Sequence, residues 1–254
     1  TVGTDVRTYL NVYNGLKNGG YQEFASQRFE IGYKLINKLI GVIGLNEQLF
    51  LFVISALILV PIAIFIYRNS YNLFISFYSY IAFGFFGASF NTLRQNIAYG
   101  IILLSFTFIK QKRLIAFILT VLFASTFHIS ALVFLPAYYL ARIKLNKINI
   151  LIIASISLLI FLFRRQILLI ITDNIFYNYG FVETNAGLWM TFNALLFIGA
   201  MIYYPFNNNS LERKNQDENR IVRMYYSLTL IGVILMIFTT VTNNAMRIVN
   251  YYHI

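Results

Sequence analysis

Residues 49–67 contain no charged side chain. A helix over those nineteen residues rises about 28 Å, close to the roughly 30 Å hydrocarbon core of a bilayer. Further apolar runs follow, separated by short basic clusters, and they predict spans at about residues 70–90, 95–109, 114–141, 148–163, 188–206 and 224–242. Pro61 is expected to kink the first of them. Composition agrees: 59% of the residues are hydrophobic and 11% charged, against about 25% charged in a soluble domain, which excludes an ordinary soluble enzyme. The predicted fold class is all-α, a polytopic integral membrane protein with about eight membrane helices or half-helices and one amphipathic surface helix. Residues 1–48 read as an external loop, 49–242 as membrane helices, 164–187 as a second external loop and 205–223 as a cytoplasmic loop. The start at Thr1 without Met and the stop at Ile254 after an aromatic cluster give the expectation of a single transmembrane domain incomplete at both ends.

Several chemistries drop out early. With no cysteine there is no disulfide or thiolate site, and two histidines, His128 and His253, are too few and too far apart for a zinc site built mainly on His. No metal and no cofactor is expected. The net charge of +11 comes from bases scattered between apolar runs rather than gathered on one polar face, which argues against a nucleic-acid partner and for orientation in a membrane with anionic lipids.

Two segments carry particular patterns. Between residues 29 and 43 the apolar residues Ile31, Leu35, Leu39 and Val42 recur at three and four residues, with Lys34 and Lys38 on another face. That fits a helix lying in the membrane surface or one packed on the bundle. Residues 114–141 carry Thr126, His128 and Ser130 at their midpoint and basic clusters at both ends, which predicts a helical hairpin with its tip at His128 rather than one span. Placing Arg68, the 110–113 and 142–147 clusters and the 205–223 segment on one side collects eleven bases and three acids there, against nine and six on the other. All the loops of the first side are short, so it is the predicted cytoplasmic side.

That orientation puts Asp5, Arg94, His128, residues 164–187 and Arg247 toward the outside. Arg94 and Gln95 lie where one apolar run passes to the next, and His128 lies inside another. Ionisable groups in such places need partners or a wet cavity. Residues 95–109 rise about 22 Å and 114–127 about 21 Å, both short of the core, so Arg94 and His128 are expected at one depth, recessed from the outer surface. Arginine grips phosphate with two prongs, and histidine moves a proton near neutral pH, so the pair suits a lipid with a phosphate head group. The plainer alternative is an interfacial Arg94 and a His128 that caps a turn.

The segments Val2-Gly3-Thr4-Asp5 with Tyr9, Phe29-Glu30-Ile31-Gly32-Tyr33, Arg94-Gln95-Asn96-Ile97-Ala98 and Phe127-His128-Ile129-Ser130-Ala131-Leu132 with Pro136, in this order and spacing, resemble the EpsG family of bacterial polysaccharide proteins, relatives of the Wzy polymerases. The four cover about residues 1–140; beyond them only Arg247 followed by Tyr251 and a polar loop continue the likeness. The resemblance implies a multi-pass enzyme of the bacterial cytoplasmic membrane that makes exopolysaccharide or capsule. Such an enzyme joins repeat units carried on a polyprenyl (undecaprenyl-type) diphosphate at the outer face. Its implied partners are a lipid-linked oligosaccharide substrate, membrane lipids and other assembly proteins such as a flippase and a chain-length regulator.

In such a transfer the departing diphosphate needs cations and the acceptor hydroxyl needs a base. Arg94 is the candidate for the diphosphate, with Gln95 as orienting donor and Arg247 or the Arg164–Arg165 pair as further clamps. His128 and Asp5 compete as the base, and Tyr9 and Glu30 are candidate substrate contacts. Asp5 also fits a turn or helix cap, Glu30 a local ion pair with Arg28, and Arg164 and Arg165 interface anchors. Two other readings stand beside the polymerase, a flippase for lipid-linked oligosaccharide and a membrane acyltransferase that modifies the polysaccharide.

Overall fold

In the computed structural model of the chain, the described residues are 5–143, 148–149, positions scattered through 152–166, 216–236, 248–249 and 251–252. Every regular element among them is helical. The chain divides into two units, Thr1–Leu135 and Pro136–Ile254.

The first unit begins with three helices, α1 (Val6–Asn18), α2 (Tyr21–Ser26) and α3 (Ile31–Val42). Residues 1–48, expected as an external loop closing in one amphipathic helix, are helical over 6–18 and 21–26 as well as over 31–42. Gly19 and Gly20 punctuate a helical segment rather than dissolve it: the Gly19 N–H closes α1 on the Gly15 carbonyl at 2.7 Å, and α2 starts directly after Gly20. Lysines tie the three together by donating to otherwise unpaired helix-end carbonyls, Lys38 Nζ to Leu16 and Gly19 and Lys34 Nζ to Phe24 and Gln27. On α3 the face that packs inward is Tyr33, Asn37, Ile40 and Gly41, while Ile31, Leu35, Leu39 and Val42 are exposed. The apolar stripe seen in the sequence is therefore real but faces away from the bundle.

Helix α4 (Glu47–Asn69) is the one described helix long and apolar enough to cross a membrane. Asn46 caps it by accepting from the Leu49 N–H at 2.9 Å. The helix is a single element through Pro61. Phe50, Ile54, Ile58, Ile62 and Ile66 recur every four residues and form its buried stripe. The span expected over residues 70–90 is instead two short helices, α5 (Leu73–Ala82) and α6 (Phe85–Ser89). The break falls at Gly84, whose φ of 77° is a left-handed conformation that ends a helix and favours glycine.

Helix α7 (Leu93–Lys110) runs parallel to α4. Gly100 lies against Pro61, the rings of Phe65 and Phe106 meet edge to face at 6.2 Å, and Lys110 Nζ donates to Asn69 Oδ1 at 2.5 Å, so the C-terminal ends coincide. A side chain at Gly100 would put its Cβ 3.1 Å from the Pro61 ring, which is why the helices meet there at a glycine. Parallel neighbours require the chain between them to return to the starting end, and α5 and α6 make that return.

Helix α8 (Leu114–Ser125) ends at Thr126. His128 is extended (φ −155°, ψ 118°), and residues Ile129–Phe134 follow as a 3-10 helix. Phe117, near the start of α8, packs on Phe134 at 5.9 Å; a continuous helix would hold them about 25 Å apart. The chain therefore folds back at residues 126–128, as the hairpin expectation required, although the returning arm is a tighter, shorter helix.

In the second unit Ala137–Leu140 is one helical turn and Gln216–Met236 a helix of 21 residues. The latter takes in residues 216–223, the second half of the segment 205–223 that is expected from the sequence as a cytoplasmic loop. Ser227 Oγ donates to the Ile143 carbonyl at 3.2 Å, and the Arg142 guanidinium lies 3.8 Å over the Tyr138 ring. The span expected at 188–206 lies outside the described residues, as do half of the residues of the one expected at 148–163 and residues 237–242 of the one expected at 224–242.

Candidate functional site

Three segments far apart in sequence converge in the first unit: the start of α3, the start of α7 and the tip of the hairpin. Their junction is a backbone bond, in which the Gly32 N–H, free because it lies in the first turn of α3, donates at 2.8 Å to the carbonyl of Thr126 at the end of α8. A positive helix start thereby meets a negative helix end. Gly32 makes the approach possible, since a Cβ there would lie 2.8 Å from the Thr126 carbonyl oxygen.

Glu30, immediately before α3, projects its carboxylate into this junction. One oxygen, Oε2, accepts from Arg94 Nη1. The other, Oε1, lies 3.0 Å from His128 Nδ1 and 3.3 Å from the Ile129 N–H. The side chains of Glu30 and Arg94 are 19% and 21% exposed, and that of His128 is 7% exposed, so the cluster is largely shielded yet reachable. Burial pushes the Glu30 carboxyl up, but the His128 hydrogen bond and the Arg94 charge outweigh it and hold the group down at about 2. Glu30 is thus an anion at neutral pH.

Arg94 lies in the first turn of α7, where the helix dipole disfavours a cation. Glu30 offsets that cost, and the Arg94 guanidinium also stacks 4.0 Å over the Phe29 ring. Phe29 is in turn packed by Tyr9 and Tyr33, with ring centroids 6.0 and 5.7 Å away. The guanidinium is therefore fixed in plane and in rotation. Its Nε is buried without a hydrogen-bond partner, while Nη1 is taken by Glu30. Nε and Nη2 form one edge of the fork, and an arginine edge of this kind can donate two parallel bonds to an oxyanion.

The cluster gathers Arg94, His128 and Glu30 from the residues singled out in the sequence. Tyr9 belongs to its packing rather than to its polar rim, being buried against Phe29 and Tyr33. Glu30 bonds across the chain to Arg94 and His128, which replaces the local pairing with Arg28 considered from sequence. Gln95 is buried and set about 100° round α7 from Arg94. Asp5 is exposed at the N-cap of α1, where its side chain makes no capping bond. It lies one turn before Tyr9 and on the same face of that helix. Arg164, Arg165 and Arg247 lie outside the described residues. Sequence reasoning assigned no role to Phe29, Gly32 or Thr126; the spacing Phe29-Glu30-x-Gly32 was the available signal, because a glycine two residues after an acid at a helix start marks close backbone approach.

The model of the EpsG family matches residues 1–254, the whole chain. No curated protein and no solved structure matches it.

Proposed function

The chain belongs to the EpsG family, and with it to proteins of polysaccharide biosynthesis; on that premise we propose that it is a membrane-embedded polysaccharide polymerase. It transfers glycan from a polyprenyl-diphosphate-linked donor to the hydroxyl of a lipid-linked acceptor at the outer face of the cytoplasmic membrane. The observation that carries the reading is the Arg94 guanidinium. It is locked by Glu30 and Phe29, and it keeps its Nε edge unpaired beside a histidine.

The chemistry divides between the two side chains. The acceptor oxygen attacks the anomeric carbon of the donor sugar, and the bond from that carbon to the phosphate oxygen breaks with its electron pair leaving on the diphosphate. Arg94 and the positive start of α7 stabilise the charge that builds there, and the rigid stacking means little reorganisation is needed as it builds. His128 takes the proton of the acceptor hydroxyl. Supporting the membrane setting, α4 is apolar and long enough to span. The site also lies at the N-terminal ends of α4 and α7, opposite the Lys110, Lys112 and Arg113 cluster, where the short-loop rule puts the cytoplasm.

The test is chain growth. Full-length protein in nanodiscs, given a lipid-diphosphate-linked repeat unit, is expected to yield longer lipid-linked glycan and free polyprenyl diphosphate. In sealed vesicles, transfer of the unit across the bilayer without growth would replace the polymerase by a flippase.

A further inference from the structure

We propose that Glu30 is a positioning residue that fixes His128 with hydrogen on Nδ1, leaving Nε2 as the nitrogen that accepts the substrate proton. The geometry leaves the ring little choice. Glu30 Oε1 lies 3.0 Å from Nδ1, and an ionised carboxylate only accepts, so Nδ1 must be the donor. A neutral imidazole with hydrogen on Nδ1 has its lone pair on Nε2.

The same oxygen also receives the Ile129 N–H at 3.3 Å. It therefore holds the backbone beyond His128 as well as the ring, while the Gly32-to-Thr126 bond at 2.8 Å holds the backbone two residues before it. The backbone of the hairpin tip is thus held from both sides, and the Nδ1 contact seats the ring against Glu30. Oε2 engages Arg94 at the same time. One side chain sets where the phosphate-binding cation stands and which way the base faces, so the two parts of the site keep a constant separation. Orienting carboxylates of this kind act through the imidazole they hold and do not touch the substrate themselves.

The catalytic meaning of this arrangement rests on the polymerase reading, but the tautomer does not, and the experiment separates them. The chain has two histidines, so nitrogen-15 labelling of histidine in a His253→Asn background, compared with the same background carrying His128→Asn, assigns the His128 imidazole by NMR in nanodiscs. At mildly alkaline pH, His128 is expected to show a protonated Nδ1 and an unprotonated Nε2. Glu30→Ala should move the population toward the Nε2-protonated form and lower chain growth at least about tenfold, the usual minimum for loss of an orienting group. A wild-type ring protonated on Nε2 would overturn the proposal, and so would an unchanged tautomer in folded Glu30→Ala protein. If the tautomer behaves as expected while wild-type protein makes no polymer from competent donor and acceptor, the polymerase reading fails and the role of Glu30 in the site stands.

Discussion

Arg94 is held by a bond to one nitrogen and a ring beneath it, and this division of labour makes the residue hard to replace. An ammonium could reach Glu30, but it has no second prong and no planar face for Phe29. Arg94→Lys is therefore expected to fail nearly as badly as Arg94→Ala, each losing about 2 to 4 kcal/mol of transition-state stabilisation, or roughly 30-fold to 1000-fold in rate. Polymerisation assays on correctly inserted variants check this; Arg94→Lys at the wild-type rate would sink the assignment. Glu30 gives a pH signature of its own. Its folded value of about 2 lies below the ordinary 4.5, so its stabilisation is complete above pH 4.5 and drains away as the pH falls toward 2. Thermal unfolding of wild type and Glu30→Gln should differ by a constant amount near neutrality, with the gap closing in that acid window. At this scale the sequence exposed the reactive groups but not their pairing. Arg94 and His128 stood out because charge is costly in apolar runs. Glu30 is 64 residues from one partner and 98 from the other, and no local pattern encodes such a distance.

The site is assembled where elements end. The start of α3, the start of α7 and the broken end of α8 supply its parts, so substitutions that leave every polar group in place can still dismantle it. Gly32→Ala is the sharpest case, because the added methyl meets the Thr126 backbone, which has no rotamer to give way. We expect it to push the hairpin tip from α3 and cut activity at least about tenfold, with a stability loss of about 1 to 3 kcal/mol; activity assays and thermal melts read both. Gly20, with open space around its Cβ position, is the control, and Gly20→Ala should change neither by much. Element boundaries also show where sequence reading ran out. The charge-free run gave α4 to within two residues at each end, because hydrocarbon thickness dictates it. The break at His128 was legible from its polar cluster. The division of residues 70–90 at Gly84 and the helices of residues 6–26 were not, since a single glycine in an apolar run reads equally as interior or as end.

At the scale of the molecule, α4 and α7 lie parallel, and the hairpin brings the chain back to their N-terminal end. The acid–base cluster therefore sits at one end of these helices and the Lys110–Arg113 turn at the other. The chain has no cysteine, so single cysteines report sidedness directly. In intact cells an impermeant thiol reagent should label Asn11→Cys and spare Gln111→Cys, both exposed positions; the reverse pattern would put the cluster in the cytoplasm and end the proposal of chemistry outside. The bond between Glu30 and His128, which spans 98 residues, also makes the site an event in time. At about 5 to 20 residues per second of synthesis, Glu30 leaves the ribosome roughly 5 to 20 s before His128 does. The glutamate and the arginine have time to meet while the hairpin is still being made, and the histidine closes a half-built site. The cluster is thus completed late, only after the helices that carry it have been laid down.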